Sequence, residues 1–536
     1  MKRDFKKFEK NKKEEIKETL IDKLNETLLN KKVILSGIVE KINQTGGPTI
    51  FEVNDGTGSL SLKGFVAPGQ RAYPEIKEGD YVEAIVSLEE FNGEIEGDIQ
   101  KIFKKTGGEA LKIKEQIEGM EKERARVAPV NFLVADPILL KLKNKFINTA
   151  TEIRLAIFQG RPIIIRHHCD TDGYSAAFAL EEAILPLIEK QHMSEKAPWE
   201  FFTRAPSMSP YYEIDDSIRD TAFSLTDAAK FSNKMPLIII VDNGSTEANL
   251  MAIKHGKVNG ESFIVVDHHQ YDKDVISNEV IEHINPFLVG ESGMKMSAGM
   301  LCAELARFIN PAVENINQIP ALAGLADKIY LENPTTIEKY LEIAKRDGYS
   351  KELLEDISLV IEYVASKVRF MEVREYIEVL FGQPRDKQKE LINLMAPYIK
   401  ELDEKGLKIG KSNARLEKIN DITLQLVYIE ETYPGFGFFP KPGRSIGLLH
   451  DNLQNEQKID KVISVGVMET GMTFRATDKA NFSIHELIKF LNEKTPEAFV
   501  EGGGHKNAGS ITFLPNRKEK IVELVKEFIR NRTING

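Results

Sequence analysis

The chain has only two cysteines, Cys169 and Cys302, in 536 residues, and a single tryptophan. Two thiols cannot build a disulfide framework, and they exclude a thiolate-rich zinc site. They fit a reducing compartment, so a cytoplasmic location is expected. No apolar run approaches the ~18 residues that a membrane span needs, and no membrane partner is expected. The N-terminus, MKRDFKKFEKNKKEEIKETL, lacks the apolar core of a signal peptide. An excess of positive charge is missing as well. The formal net charge of −10 argues against a generic nucleic-acid coat protein. A local basic groove stays open, because phosphates respond to patches rather than totals. What remains is a globular composition, 42% hydrophobic and 29% charged, long enough for three or four domains.

Within that composition, four apolar runs end abruptly in aspartate or histidine. Pro162-Ile163-Ile164-Ile165 leads into Arg166-His167-His168-Cys169-Asp170-Thr171-Asp172-Gly173. Leu237 to Val241 leads into Asp242-Asn243-Gly244, and Phe263 to Val266 into Asp267-His268-His269. The weakest run, Ala323-Gly324-Leu325-Ala326, ends in Asp327. Short continuous apolar runs read as buried parallel strands. In open α/β sheets, ligands bind beyond the carboxyl ends of such strands. Carboxylates and imidazoles are therefore expected to gather at one sheet edge.

Elsewhere the chain divides by period and composition. Residues 1–30 read as a charged amphipathic helix with Leu20, Leu24 and Leu28 on one side. Residues 31–106 change to alternating, β-branched runs separated by turns such as Asn54-Asp55-Gly56-Thr57-Gly58. Five such runs predict a small barrel of OB type, a common oligonucleotide reader. Its Phe51, Phe65 and Tyr81 either stack bases or fill the core. Residues 107–155 read as a helical connector, and 156–332 as a parallel, doubly wound α/β domain. Residues 333–432 form a helical spacer, and 433–536 a smaller α/β domain.

The strand ends carry the chemistry. His168, Asp170 and Asp172 are spaced by two, so an extended backbone would turn all three to one side. Asp242, His268 and Asp327 would arrive from other strand ends. Oxygen-rich sites with some imidazole suit manganese or magnesium. Six such groups suffice for two divalent ions if one carboxylate bridges, and a two-ion site is the usual engine of phosphoester hydrolysis. Singly, each element has a plainer reading: an aspartate at a strand end is often a helix cap or turn former. Adjacent histidines are usually solvated. The combination after apolar runs favours the metal. Ser297-Ala298-Gly299 before a helical stretch either touches phosphate or allows close helix packing.

HCDTDG (168–173), VDNG (241–244), VDHH (266–269) and GLADK (324–328) resemble, in order and spacing, the four motifs of the DHH phosphoesterase superfamily. GGGHKNAG (502–509), preceded by GRS (443–445) and FRA (474–476), resembles that family's C-terminal associated domain. The overall plan is similar to RecJ-type single-strand exonucleases, the archaeal ones above all. The resemblance implies that His168 and Asp170 hold one metal and Asp172 the other, with Asp242 bridging. His268 and Asp327 would complete the second site. His269 would face the scissile phosphate, and Asp267 would orient an adjacent imidazole. A turn of Gly502, Gly503 and Gly504 would meet a phosphate, with His505 and Arg475 as contacts and Arg444 as a further candidate. Two departures stand out: His168 replaces an aspartate of many bacterial relatives, and Lys506-Asn507 replaces small residues after the glycine run.

The expected function is a two-metal exonuclease, with manganese favoured over magnesium, releasing nucleoside monophosphates from single-stranded DNA or RNA in replication, repair or RNA turnover. Two alternatives stand beside it. One is a phosphoesterase on short oligoribonucleotides or cyclic dinucleotides. The other is a scaffold in a replication assembly, with the archaeal GINS complex as partner.

Overall fold

The computed structural model describes residues 16–532 apart from 92, 129, 208, 210, 232, 369–373 and 434–440; the side chains at 231, 505 and 532 also lie outside the description. The single helix expected over residues 1–30 is absent from its described part. Instead Glu18 bridges to Ile34, and two short 3-10 turns follow, Ile21–Lys23 and Glu26–Leu28. Asp55 explains the departure. Its carboxylate accepts from the Ile21 amide at 2.7 Å, tying this segment across the barrel mouth.

Strands β1 (Lys32–Gln44), β2 (Thr49–Asn54), β3 (Ser59–Gly64), β4 (Tyr81–Phe91) and β5 (Glu94–Lys104) close into a barrel in the order β1-β2-β3-β5-β4. Alternation builds it: Val33, Leu35, Val53, Leu60, Leu62, Val82 and Val86 point inward. Phe51 belongs to that core and is fully buried, whereas Phe65 is 60% exposed and Tyr81 is half-buried. Of the three aromatics, Phe65 is thus the one with a free face.

The parallel sheet comprises β6 (Ile163–His167), β7 (Phe202–Pro206), β8 (Leu237–Val241), β9 (Ser262–Val266) and β10 (Glu282–Ile284), in the order β10-β9-β8-β6-β7. Their β-branched runs are buried on both faces, as a sheet covered by helices demands. Register sets up the site. His167 lies opposite Val241, and Val241 opposite Val266, so β6, β8 and β9 end in line. His168, Asp242 and Asp267 are the next residue of each strand and leave the same edge.

The fourth run is a helix, Ile319–Ala326, and Asp327 is its C-cap rather than a strand end. Helices Thr171–His192, Ala298–Ile309 and Pro137–Phe158 share one core with it. The helices of the spacer, Pro334–Arg346, Lys351–Val368, Arg374–Leu380 and Arg385–Asn413, contribute Ile337, Leu354, Ile361 and Ile399 to that same core. They are built into the parallel-sheet body rather than strung between bodies.

A second, mixed sheet follows: β11 (Arg415–Ile419), β12 (Ile422–Tyr428), β13 (Val462–Val467), β14 (Gly471–Ala476), β15 (Glu501–His505) and β16 (Ala508–Thr512). The order is β11-β12-β13-β14-β16-β15. The glycine triplet 502–504 is not a turn; it forms the edge strand β15, paired antiparallel with β16. Among the described residues, no helix is long and apolar enough to cross a membrane.

Candidate metal centre and substrate cleft

The loop after β6 does not stay extended. Asp170 caps helix Thr171–His192, its Oδ1 accepting from the Gly173 amide at 3.0 Å. His168 and Asp170 therefore stand before the helix, and Asp172 lies in its first turn. Gly173 makes this possible, because a Cβ there would sit 2.2 Å from the His168 carbonyl oxygen. Neighbouring elements brace the loop. Glu362 accepts from the Thr171 amide at 2.9 Å, and Lys441 donates to the Cys169 carbonyl at 3.0 Å.

Three groups of side chains converge on Asp242. His168 Nδ1 lies 2.7 Å from Asp170 Oδ2 and 3.4 Å from Asp242 Oδ2. His268 Nε2 lies 3.3 Å from Asp242 Oδ1, 3.2 Å from Asp327 Oδ2 and 3.9 Å from Asp172 Oδ2. His269 Nδ1 lies 3.9 Å from Asp242 Oδ1. The two oxygens of Asp242 thus face different histidines. All six residues expected as ligands meet here, in the sets His168-Asp170-Asp242 and Asp172-His268-Asp327, each with its ligand atoms within 4.8 Å of one another.

Surrounding hydrogen bonds fix the imidazoles. His268 Nδ1 contacts the Gly293 carbonyl at 3.1 Å, which directs the Nε2 lone pair into the centre. Asp267 accepts from the amides of Ser245, His268 and His269, and its Oδ1 lies 2.7 Å from His269 Nδ1. It orients His269 and does not reach the centre. The amides of Ala298 and Gly299, at a helix N-terminus, donate to Asp172 at 2.9 and 3.0 Å. Of the two readings of this segment, close helix packing holds: a Cβ on Gly299 would lie 2.6 Å from Ala323 Cβ, and the two amides are spent on Asp172.

Charge is crowded. Burial, together with the Asp327 and Asp242 carboxylates, pushes Asp172 well above the ordinary carboxylate range. Burial lifts Asp327 to about 7, with His268 opposing and Asp242 adding. Burial would lower His268, but Asp242, Asp327 and Asp172 outweigh it and raise the imidazole. His269 is raised too, because Asp267 outweighs burial. Asp242 Oδ2 is buried and has no hydrogen-bond partner among the described residues. A cluster of buried carboxylates with imidazole nitrogens turned inward fits hard divalent cations. Manganese or magnesium suits the donor set, and no thiolate is among the donors.

The centre opens into a cavity of about 360 Å³ whose far wall comes from the mixed sheet. Gly502, Gly503, Gly504, Arg475 and Thr473 line that wall, and Arg475 is half-buried there. Arg444 is not on it. Its guanidinium is held by Asp403, with Nη2 to Oδ2 at 2.6 Å, and is neutralised away from the cleft. The side chain of His505, expected beside the phosphate, lies outside the described residues. No pattern in the chain pointed to the third wall, where Ser209, Tyr211 and Glu213 come from the loop after β7. Asn243, Thr246 and Asn249 complete it. Asn243 sits inside a recognised motif, but there its type reads only as a turn former.

Residues 162–327 match the family described as DHH family, N-terminal domain, and residues 33–104 match the OB-fold nucleic acid binding domain. An uncharacterized protein of Methanocaldococcus jannaschii, MJ1198, is 35% identical over 525 residues, which covers 93% of this chain and 69% of that protein. A solved DHH-domain structure, of PF0399, a member of the s1p family of ribosomal proteins, is 36% identical. It covers 79% of this chain and 99% of its own, with a TM-score of 0.74. A RecJ exonuclease structure with manganese matches at 15% identity over 75% of this chain and 96% of its own, with a TM-score of 0.49.

Proposed function

The chain belongs to the DHH family, and on that premise we propose that it is a divalent-metal-dependent exonuclease on single-stranded nucleic acid. The carrying observation is Asp242, whose two oxygens face two separate ligand groups. His168, Asp170 and Asp242 would hold one ion, and Asp172, His268, Asp327 and Asp242 the other. Bound there, divalent ions would neutralise a phosphodiester and make water a nucleophile near neutral pH.

The chain's own residues do the rest. His269, held at Nδ1 by Asp267, faces the cavity and would stabilise charge on the phosphoryl oxygens. Arg475 meets a phosphate from the opposite wall. The amides of β15, an unpaired sheet edge beside that wall, add neutral donors. The mixed sheet and the metal centre line the cavity from opposite sides and would flank the reacting group. The barrel contributes strand binding through Phe65 and through Phe91, over whose ring Lys63 Nζ sits at 4.2 Å.

The cavity is on the scale of one small ligand. That supports a terminal nucleotide, and it equally supports the reading of a phosphoesterase on short oligonucleotides. A length series of end-labelled strands, from dinucleotides upward with manganese and then with chelator, separates the two. Loss of long strands to monophosphates, abolished by chelator, supports the exonuclease. Turnover confined to the shortest oligomers moves the assignment to the small-substrate phosphoesterase.

A further inference from the structure

The barrel and the metal centre sit at opposite edges of the parallel sheet, and helix Thr171–His192 joins them. Asp172, in its first turn, is one of the clustered carboxylates. At its other end His192 Nδ1 lies 3.4 Å from Glu52 Oε1 of β2. Just beyond, Ser194 Oγ donates to Glu94 Oε1 of β5 at 2.7 Å. Glu200 and Lys234, which precede β7 and β8, pair with Lys41 and Glu40 of β1. The 22-residue helix, at about 1.5 Å per residue, sets barrel and metal centre about 30 Å apart. The free aromatics of the barrel lie at this junction. Phe91 is exposed and pairs with Glu94 across the β4–β5 hairpin, and Lys63, over its ring, is close in sequence to Phe65.

A trough lies between the two edges. On the sheet face that carries Ile164 and Arg166, a cavity of about 540 Å³ separates β7 from helix Ile214–Phe231. Lys234 and Glu200 stand at its barrel end, and Arg166, just before the ligand loop, at its metal end. Phe223 and Arg219, both exposed, line it from the helix. Of its carboxylates, Glu200 and Asp220 are neutralised by Lys41 and Arg166, which leaves Asp227 against Arg219. A strand cut at the metal centre must therefore cross about 30 Å to reach the barrel. A stacked strand advances about 3.4 Å per nucleotide and an extended one about twice that, so the crossing takes about five to nine nucleotides. About two more stack on Phe65 and Phe91. We propose that the protein grips one strand at the metal centre and at the barrel together, so that strands of at least about seven to eleven nucleotides are preferred and shorter remnants resist it. The inference rests on the exonuclease reading for the chemistry at the metal centre.

The test uses the full chain with manganese and end-labelled strands in a length series, from trinucleotides to several times the crossing. kcat/KM should step up between about seven and eleven nucleotides, by roughly tenfold or more, the scale of one or two stacked bases. The gain should appear in KM, since the added grip is remote from the bond that breaks. Phe65 and Phe91 are outside the barrel core, so Phe65→Ala and Phe91→Ala should fold. In them the ratio of long-strand to short-strand kcat/KM should fall toward one. A flat profile overturns the inference and leaves the exonuclease reading standing, as does a step that both variants retain. Turnover confined to the shortest strands overturns both. If no strand is hydrolysed, the exonuclease reading fails, and binding of the same series by fluorescence anisotropy decides. A manganese-dependent affinity step at that length, lost in the variants, upholds the two-point grip. A smooth rise with length, or no binding, overturns it.

Discussion

Replacing Asp242 with asparagine should collapse the stabilisation by manganese of the whole centre, whereas replacing Asp170 should remove about half of it. Asp242 sits at φ +56°, in the left-handed region that asparagine tolerates and alanine does not. The substitution therefore removes charge without straining the backbone. A ligand at 100 times its dissociation constant stabilises by about 2.7 kcal/mol per site, so two sites give about 5 kcal/mol. At about 1.5–2 °C per kcal/mol for a body larger than 250 residues, the wild-type melting temperature should rise by about 8–11 °C. If loss of the shared carboxylate weakens each site about 100-fold, manganese falls to its dissociation constant at both. The stabilisation then drops to about 0.4 kcal/mol per site, a rise of about 1–2 °C. Asp170 belongs to one ligand set only, so Asp170→Asn should keep about half the wild-type rise. Calorimetric melts with chelator and with manganese read all three. A full wild-type rise in Asp242→Asn, or equal rises in the two variants, would refute the shared-ligand reasoning.

Other perturbations test the surroundings of the centre. In Gly299→Ala the new Cβ would lie 2.6 Å from Ala323 Cβ and 2.9 Å from Asp172 Oδ1. The helices must part, so stability should fall by about 1–3 kcal/mol, and the manganese-induced rise should shrink as Asp172 moves, both visible in the same melts. Arg475→Ala should lower kcat/KM at least about tenfold, by the loss of a charged hydrogen bond, with the manganese-induced rise unchanged; an unaltered rate would remove Arg475 from the substrate wall. Glu261 is 4% exposed, and burial raises it from 4.5 to about 7, with Thr221 opposing and Asp220 adding. Its folded state prefers the proton, so its contribution is complete below about pH 4.5 and is lost as pH rises through about 7. Glu261 should accordingly contribute a loss of up to about 3 kcal/mol between those limits, and Glu261→Gln should remove that share of the slope in melts of the metal-free protein from pH 5 to 8.

The parallel strands were legible because isoleucine-rich runs that stop at charged residues have few other uses. The same reasoning misread residues 323–326. A short apolar run buried on all sides looks alike as helix or strand, and only its packing against Thr171–His192 settles the matter. The spacing of His168, Asp170 and Asp172 singled out residues that do come together, but by another route. They meet because Asp170 caps a helix, not because the backbone stays extended. The glycine triplet reads locally as a turn, yet pairing with β16 makes it a strand. Arg444 was lost to Asp403, a partner 41 residues away that no local pattern reveals. The wall carrying Ser209, Tyr211 and Glu213 left no trace in the sequence, since polar side chains in loops carry no periodicity.

Anomalous diffraction from manganese-soaked crystals bears most directly on the central claim. Two peaks are expected, one among His168, Asp170 and Asp242 and the other among Asp172, His268, Asp327 and Asp242, with Asp242 touching both. A single peak, or peaks away from Asp242, would contradict the two-ion centre and the phosphodiesterase chemistry built on it.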